Sequence, residues 1–322
     1  MTLQGLRQRV EQFFFTPQSP IPIALFRILY GVCVLATVIL LHSSWLDWFG
    51  VHGWVSQSTM STIEPGARLN LFALMPLDDH WVAALFWMFL GFAALLTLGL
   101  WTRFSSVAVF LCLTSIHQRN LFITHGGDTF LRVTGFFLIF APAGAAFSVD
   151  RLICVRRGLE SSEIPMRSPW AQRMIQFELA LLYFVSFWWK MKGEAWRDGT
   201  ALYYVIHLHS LARFSLPGWV QDPAILKVGC WFTLGLEFCL GTLIWFRKIR
   251  YPLLLLGFLF HLCLEYALNI PMFQWDVLTA YVLFVDQDDI NRVWRNVVSH
   301  DVVRKALSYR RTRSLDNAAA IR

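Results

Sequence analysis

Seven ionisable side chains sit inside or at the edges of long apolar runs: Arg27, Glu178, Lys190, Glu237, His261, Glu265 and Asp276. A charge in hydrocarbon is costly, so such residues mark either a functional interior or a fixed structural pair. Gln176, Tyr183, Ser186 and Lys190 are seven, three and four residues apart, which places them on one helical face with the lysine at its end. That stripe reads equally as a hydrogen-bond seam ending in an interfacial lysine and as the wall of a reactive site. His261 and Glu265, four apart, share a face, and Glu237 lies midway along the preceding run. These three would build a protonatable network or a structural pair with one buried hydrogen bond. Glu265 reads as structural; catalytic and orienting roles both stay open for His261 and Glu237. Arg27 and Glu178, near helix ends where snorkelling is cheap, read as structural.

A second concentration of polar groups is His117-Gln118-Arg119-Asn120, then Thr124-His125-Gly126-Gly127-Asp128, directly before an apolar helix. The glycine pair lets backbone approach closely, and capping of the next helix accounts for Asp128. It does not account for two histidines, an arginine and an asparagine beside it. His207 and His209 would chelate together only from a strand, and two imidazoles are half a metal site; a structural pair is the plainer reading. No metal site is evident. Six cysteines lack metal or redox spacing and read as small apolar residues.

The elements that carry these residues follow from composition. Of 322 residues, 56% are hydrophobic, 16% aromatic and 15% charged, whereas soluble domains average about 45–50% apolar and 25% charged. This excludes a soluble domain, a disordered chain and a nucleic-acid partner. The chain reads as an all-α, polytopic integral membrane helix bundle that meets lipid. A crossing takes roughly 20 mostly apolar residues, and eight runs qualify: 22–41, 81–100, 104–118, 130–147, 174–189, 227–246, 251–270 and 272–286. The third, fourth and eighth are short. Basic residues concentrate in alternate connections: Arg7 and Arg9; Arg103; Arg151, Arg156, Arg157 and Arg167; Arg247, Lys248 and Arg250; then the tail with Arg292, Arg295, Arg304, Lys305, Arg310, Arg311 and Arg313. Segment 42–80 carries Arg68 against Asp47, Glu64, Asp78 and Asp79. The positive-inside rule then makes both termini cytoplasmic and puts Lys190 and Asp128 on the exoplasmic side. Residues 1–19 lack a cleavage site and read as an amphipathic interfacial helix. A transmembrane domain follows over 20–286, and 287–322 reads as a basic cytoplasmic tail. No internal repeat is evident, which weighs against repeat-built transporters.

Asn120 and His125-Gly126-Gly127-Asp128, with Phe140-Ala141-Pro142-Ala143-Gly144 and Ser148-Val149-Asp150, resemble the HTTM family (horizontally transferred transmembrane domain), bacterial relatives of vitamin K-dependent gamma-carboxylase. Lys190-Met191-Lys192-Gly193-Glu194-Ala195-Trp196, with Asp198-Gly199-Thr200-Ala201, is similar to the family's lysine-to-tryptophan segment. Glu237, His261 and Phe273 fall where the family places an acid, a histidine and an aromatic. The resemblance covers about residues 20–286. It implies a helix bundle with an exoplasmic-side site. In the carboxylase a lysine is taken to deprotonate vitamin K hydroquinone, which reacts with oxygen to give an epoxide and a strong base; that base removes a glutamate γ-proton, and carbon dioxide adds. Lys190 matches that lysine, and desolvation favours the amine a base needs. The resemblance therefore implies Lys190, Asp128 and His261 as catalytic residues, and Asn120, His125, Arg119, Trp196, Glu237 and Tyr183 as substrate- or cofactor-binding. The cofactor implied is a reduced, vitamin K-like quinone. Two departures stand out: Asp128 replaces the carboxylase's histidine, and the large lumenal domain is absent. Carboxylation of a propeptide-bearing substrate is thereby placed in doubt.

Three functions are compatible with these residues. The first is a quinol-linked enzyme of the bacterial plasma (inner) membrane, lyase/carboxylase-like or quinol-oxidising and monooxygenase-like, with Lys190 as base and a secreted peptide or a lipid as substrate. The second is a maturation factor for a secreted peptide, without quinone, as in the sporulation-delaying toxin system, with a small protein partner encoded nearby. The third is a transporter or lipid-binding membrane protein.

Overall fold

The structure, a computed structural model, describes residues 3–63, 69–290 and 292. Glu64, Arg68 and the basic tail residues from Arg295 onward lie outside the described residues. The chain divides into a unit over Met1–Phe284 and a second over Val285–Arg322. In the second, the described part holds a helical turn at 287–290.

The regular elements of the first unit are all helices among its described residues, with isolated bridges at Gln18–Arg167 and Ala212–Leu268 in place of strands. Helix α1 (Leu3–Phe15) is amphipathic and buries no residue completely; Phe13 and Phe14 pack their rings on Phe177. Prolines 20 and 22 suit the start of α2 (Ile21–Leu40), where the first amide hydrogens have no helical acceptor. After the short helices α3 (Trp45–Phe49) and α4 (Gln57–Ile63), α5 (Asp79–Leu98) begins at Asp78, whose carboxylate accepts from the His80 amide. That hydrogen bond holds the exposed Asp78 carboxyl below its usual range. Phe26, Tyr30, Val34 and Val38 recur every four residues on α2 and meet Leu85, Phe86, Phe89 and Ala93 of α5 in the core.

Helix α6 (Thr102–Arg119) is rich in Ser and Thr yet mostly buried. Two of its serine hydroxyls donate to carbonyls four residues earlier, Ser106 to Thr102 and Ser115 to Leu111. Asp150 caps its start, accepting from the amides of Trp101 and Thr102, both at 2.8 Å. Helix α7 (Gly126–Phe140) starts before the expected span 130–147 and stops well short of its end. The cause is Pro142, which holds Ala141 extended at ψ 148. Arg27, completely buried rather than snorkelling, closes the turn that follows by donating to the carbonyls of Ala143 (2.8 Å) and Phe147 (2.6 Å).

The chain continues through α8 (Val149–Arg156), the long α9 (Trp170–Lys192), α10 (Glu194–Asp198), α11 (Ala201–Ile206), α12 (Pro223–Thr242) and α13 (Arg247–Ala267). The last expected span, 272–286, is the seven-residue α14 (Phe273–Thr279) followed by the 3-10 turn Ala280–Phe284. Seven residues rise about 10 Å, so α14 cannot cross a bilayer alone; it plugs the interior between α2, α7 and α13. Among the described residues four helices, α2, α5, α12 and α13, are long and apolar enough to span a membrane.

Candidate functional site

Lys190 stands in the last turn of α9, just before Gly193 turns the backbone extended and ends the helix. Its ammonium donates to Ser186 Oγ at 2.7 Å and to Glu237 Oε1 on α12. Ser186 Oγ donates to the same carboxylate oxygen at 3.0 Å. The lysine side chain is 23% exposed and that of Glu237 6%, so the pair joins an accessible cation to a buried acid. Glu237 Oε2 is buried with no hydrogen-bond partner. Trp196, brought back over the helix end by α10, places its ring centroid 5.2 Å from Lys190 Nζ.

Two helical turns from Lys190, the same face of α9 carries Tyr183. Its hydroxyl lies 2.6 Å from His261 Nε2 and 2.6 Å from Tyr281 Oη. His261 Nδ1 contacts Gln274 Oε1 on α14. An amide oxygen only accepts, so Nδ1 carries the hydrogen, Nε2 accepts from Tyr183, and Tyr183 accepts from Tyr281. The row Tyr281, Tyr183, His261, Gln274 is thus a one-directional chain of neutral hydrogen bonds. Gly257 is a packing requirement for it, since a Cβ there would lie 2.2 Å from the Tyr281 hydroxyl.

Asp128 belongs to a separate group. Its Oδ2 accepts from the His125 amide at 2.8 Å, which closes a capping box at the start of α7, and its Oδ1 lies 3.5 Å from His117 Nε2 on α6. His125 Nδ1 accepts from the Gly127 amide and Nε2 faces the Pro271 carbonyl at 3.0 Å. Gly127 is needed for close approach: an added Cβ would lie 2.8 Å from His125 Cε1 and 3.1 Å from Phe273. His117, His125 and Asp128, with Thr37, are the polar residues lining a pocket of about 360 Å³. Its apolar walls include Leu41, Trp48, Ile116 and Phe122.

The structure therefore sorts the sequence candidates into three groups: Lys190, Glu237 and Trp196; Tyr183 and His261; Asp128 and His125. Phe273 stands between the last two, its ring centroid 5.9 Å from that of His125 and 6.5 Å from that of His261. Lys190, which the sequence puts on the same exoplasmic side as Asp128, pairs instead with Glu237. His261, expected beside Glu237 or Glu265, bonds Tyr183 and Gln274, while Glu265 pairs with Arg213. Arg119 turns away from Asp128 and ties down the loop before α4 through the carbonyls of Val55 and Gly50. Asn120 caps the 3-10 turn Leu121–Ile123 by accepting from the Phe122 amide. His207 bonds the Tyr203 carbonyl on an exposed turn. Gln274 and Tyr281 were not among the candidates, and His117 was singled out only as part of the polar segment, without a role. His117 is eleven positions from Asp128 across a chain reversal, and no periodicity links them.

A family model described as the HTTM domain matches residues 15–288. No curated protein and no solved structure matches the chain.

Proposed function

Because the chain belongs to the HTTM family, and its integral membrane bundle ends the α9 stripe in a shared Lys190–Glu237 contact, we propose that it is a quinol-linked enzyme with an exoplasmic-side site. Lys190 acts as the base. The observation that supports this reading is the Lys190–Ser186–Glu237 triangle, in which an accessible amine has a buried acid at hand to receive its proton.

The residues fit the quinol that the family resemblance implies. Glu237 Oε2 is an orphaned buried acceptor beside Lys190, and a ring hydroxyl would supply its missing donor. The Trp196 indole offers an aromatic face at the same place. When bound, a reduced quinone supplies an acidic hydroxyl and reducing electrons. The residues' part is proton handling. A hydrogen moves from Lys190 Nζ to Glu237 Oε1, leaving a neutral amine beside a neutral acid; this exchange is favoured when water is excluded, because both charges vanish. The amine lone pair then takes the substrate's hydroxyl proton. Ser186 keeps Nζ aimed through the transfer, and Trp196 covers it from water. Modification of a secreted peptide or a lipid would follow at the same face.

Mass spectrometry of the purified protein tests the binding half of this reading. Wild type is expected to retain a co-purified quinone, and Trp196→Ala to lose it. Its absence from wild type, even after the expressing cells are supplied with a vitamin K quinone, would count against the proposal.

A further inference from the structure

We propose that the outer face of α7 and α9 is a self-association surface, on which Arg132 of each copy pairs, within the membrane, with Glu178 of the partner subunit. The proposal does not rest on the role of Lys190.

Three observations carry it. The first is a cation and an acid left over. Arg132 lies inside the expected span 130–147 and Glu178 inside 174–189. Each is half-buried, and among the described residues neither makes a hydrogen bond or an ion pair. By contrast Arg27, Lys190, Glu237 and Glu265 are all bonded inside the bundle. Ionisable residues at membrane depth are found paired, with one another or with backbone carbonyls. Arg132 and Glu178 have neither kind of partner within the chain.

The second observation is the face they occupy. Arg132 shares its side of α7 with Phe136 and Phe140, four and eight residues on; Glu178 shares its side of α9 with Leu181 and Val185, three and seven on. All four of these apolar side chains are exposed. The two charges therefore border the surface that meets lipid. Lipid alone does not satisfy Glu178. It stands eight residues from one end of α9 and fourteen from the other, about 12 and 21 Å along the axis, and its side chain is too short to snorkel that far.

The third is depth. Helices α7 and α9 pack side by side, and Phe140, the last residue of α7, meets Trp170, the first of α9, with ring centroids 5.8 Å apart. The helices are thus antiparallel. Arg132 is eight residues before Phe140 and Glu178 eight after Trp170, so both stand about 12 Å from that contact. A twofold axis along the membrane normal joins residues at one depth and makes each contact twice. A face that carries one cation and one acid at a shared depth is therefore complementary to a second copy of itself. The paired copies would also cover Phe136 and Leu181.

The test is energy transfer between full-length chains labelled at the N-terminus with donor or acceptor dye and reconstituted together in vesicles of phosphatidylethanolamine and phosphatidylglycerol. Wild type should show transfer above that of a monomeric membrane protein at the same density. Arg132→Glu alone and Glu178→Arg alone should each fall to the monomer level, because like charges then face each other. Mixing donor-labelled Arg132→Glu with acceptor-labelled Glu178→Arg should restore wild-type transfer, since both contacts re-form across chains with their signs exchanged. Monomer-level transfer in wild type, undiminished transfer in either reversal, or a mixture that stays at the monomer level would each overturn the proposal. Where a reversal variant does not fold, Arg132→Gln and Glu178→Gln decide. Each should weaken association about tenfold or more, and unchanged association in either refutes the surface.

Discussion

Lys190 in the last turn of α9 and Glu237 midway along α12 are joined as an ion pair, with Ser186 hydrogen-bonded to both. The pair is asymmetric: the cation reaches the surface and the acid does not. Removing the cation therefore leaves an uncompensated buried carboxylate. Lys190→Met should destabilise the fold by about 3–5 kcal/mol, and adding Glu237→Leu should recover most of that loss. Thermal unfolding in detergent measures both. Equal stability of Lys190→Met and wild type would show that the contact carries no weight in the fold.

The tyrosine–histidine row makes an ordered prediction. Tyr183 is its middle member, accepting from Tyr281 and donating to His261. Tyr183→Phe strands a buried nitrogen and a buried hydroxyl, at about 1–3 kcal/mol each. Tyr281→Phe removes only the terminal donor and should cost less. If the two variants unfold in the reverse order, the direction assigned to the row is wrong.

Gly127 and Gly91 separate close approach from simple helix propensity. An alanine Cβ at 127 meets His125 and Phe273 within 3.1 Å, whereas at 91 nothing lies within 4 Å. Gly127→Ala should cost about 1–3 kcal/mol through overpacking. Gly91→Ala, inside α5, should be neutral or slightly stabilising. A neutral Gly127→Ala would mean that Phe273 shifts freely, and the link it makes between His125 and His261 would lose its meaning.

The helices were legible because apolar runs of sufficient length have few other fates, and all eight expected runs fall on helices. The last was misjudged in length. Pro271 precedes a short buried helix and a 3-10 turn, and the polar residues Gln274, Asp276 and Thr279 on that helix are buried inside the bundle, away from lipid. Lys190, Ser186 and Tyr183 were legible as one face because the spacing lies within a single helix. The partner of Lys190 was not. Choosing Glu237 over Asp128 depends on how α12 is rotated against α9, and no local pattern records that rotation. Arg119 and Asn120 were grouped with Asp128 by proximity in sequence, but the chain reversal after α6 directs their side chains elsewhere.

Cytoplasmic ends and an exoplasmic 42–80 segment remain the expectation from the alternating basic connections. In a background free of native cysteines, a cysteine at Ser58 should react with an impermeant maleimide in intact cells, and one at Ser314 only after permeabilisation. Protection of Ser58 in intact cells would invert or break this topology, and with it the exoplasmic placement of Lys190.

The central claim is that Lys190 gives up and takes a proton, and the Lys190→Arg variant measures it most directly. Guanidinium keeps the charge and donates to Glu237 but does not release its proton. Quinol oxidation is followed by absorbance in proteoliposomes supplied with a reduced vitamin K quinone and oxygen, and thermal unfolding is measured alongside. The base role predicts that Lys190→Arg stays folded, with a melting temperature near wild type, and loses quinol oxidation. Full activity in Lys190→Arg would contradict it and leave Lys190 as an anchor for Glu237.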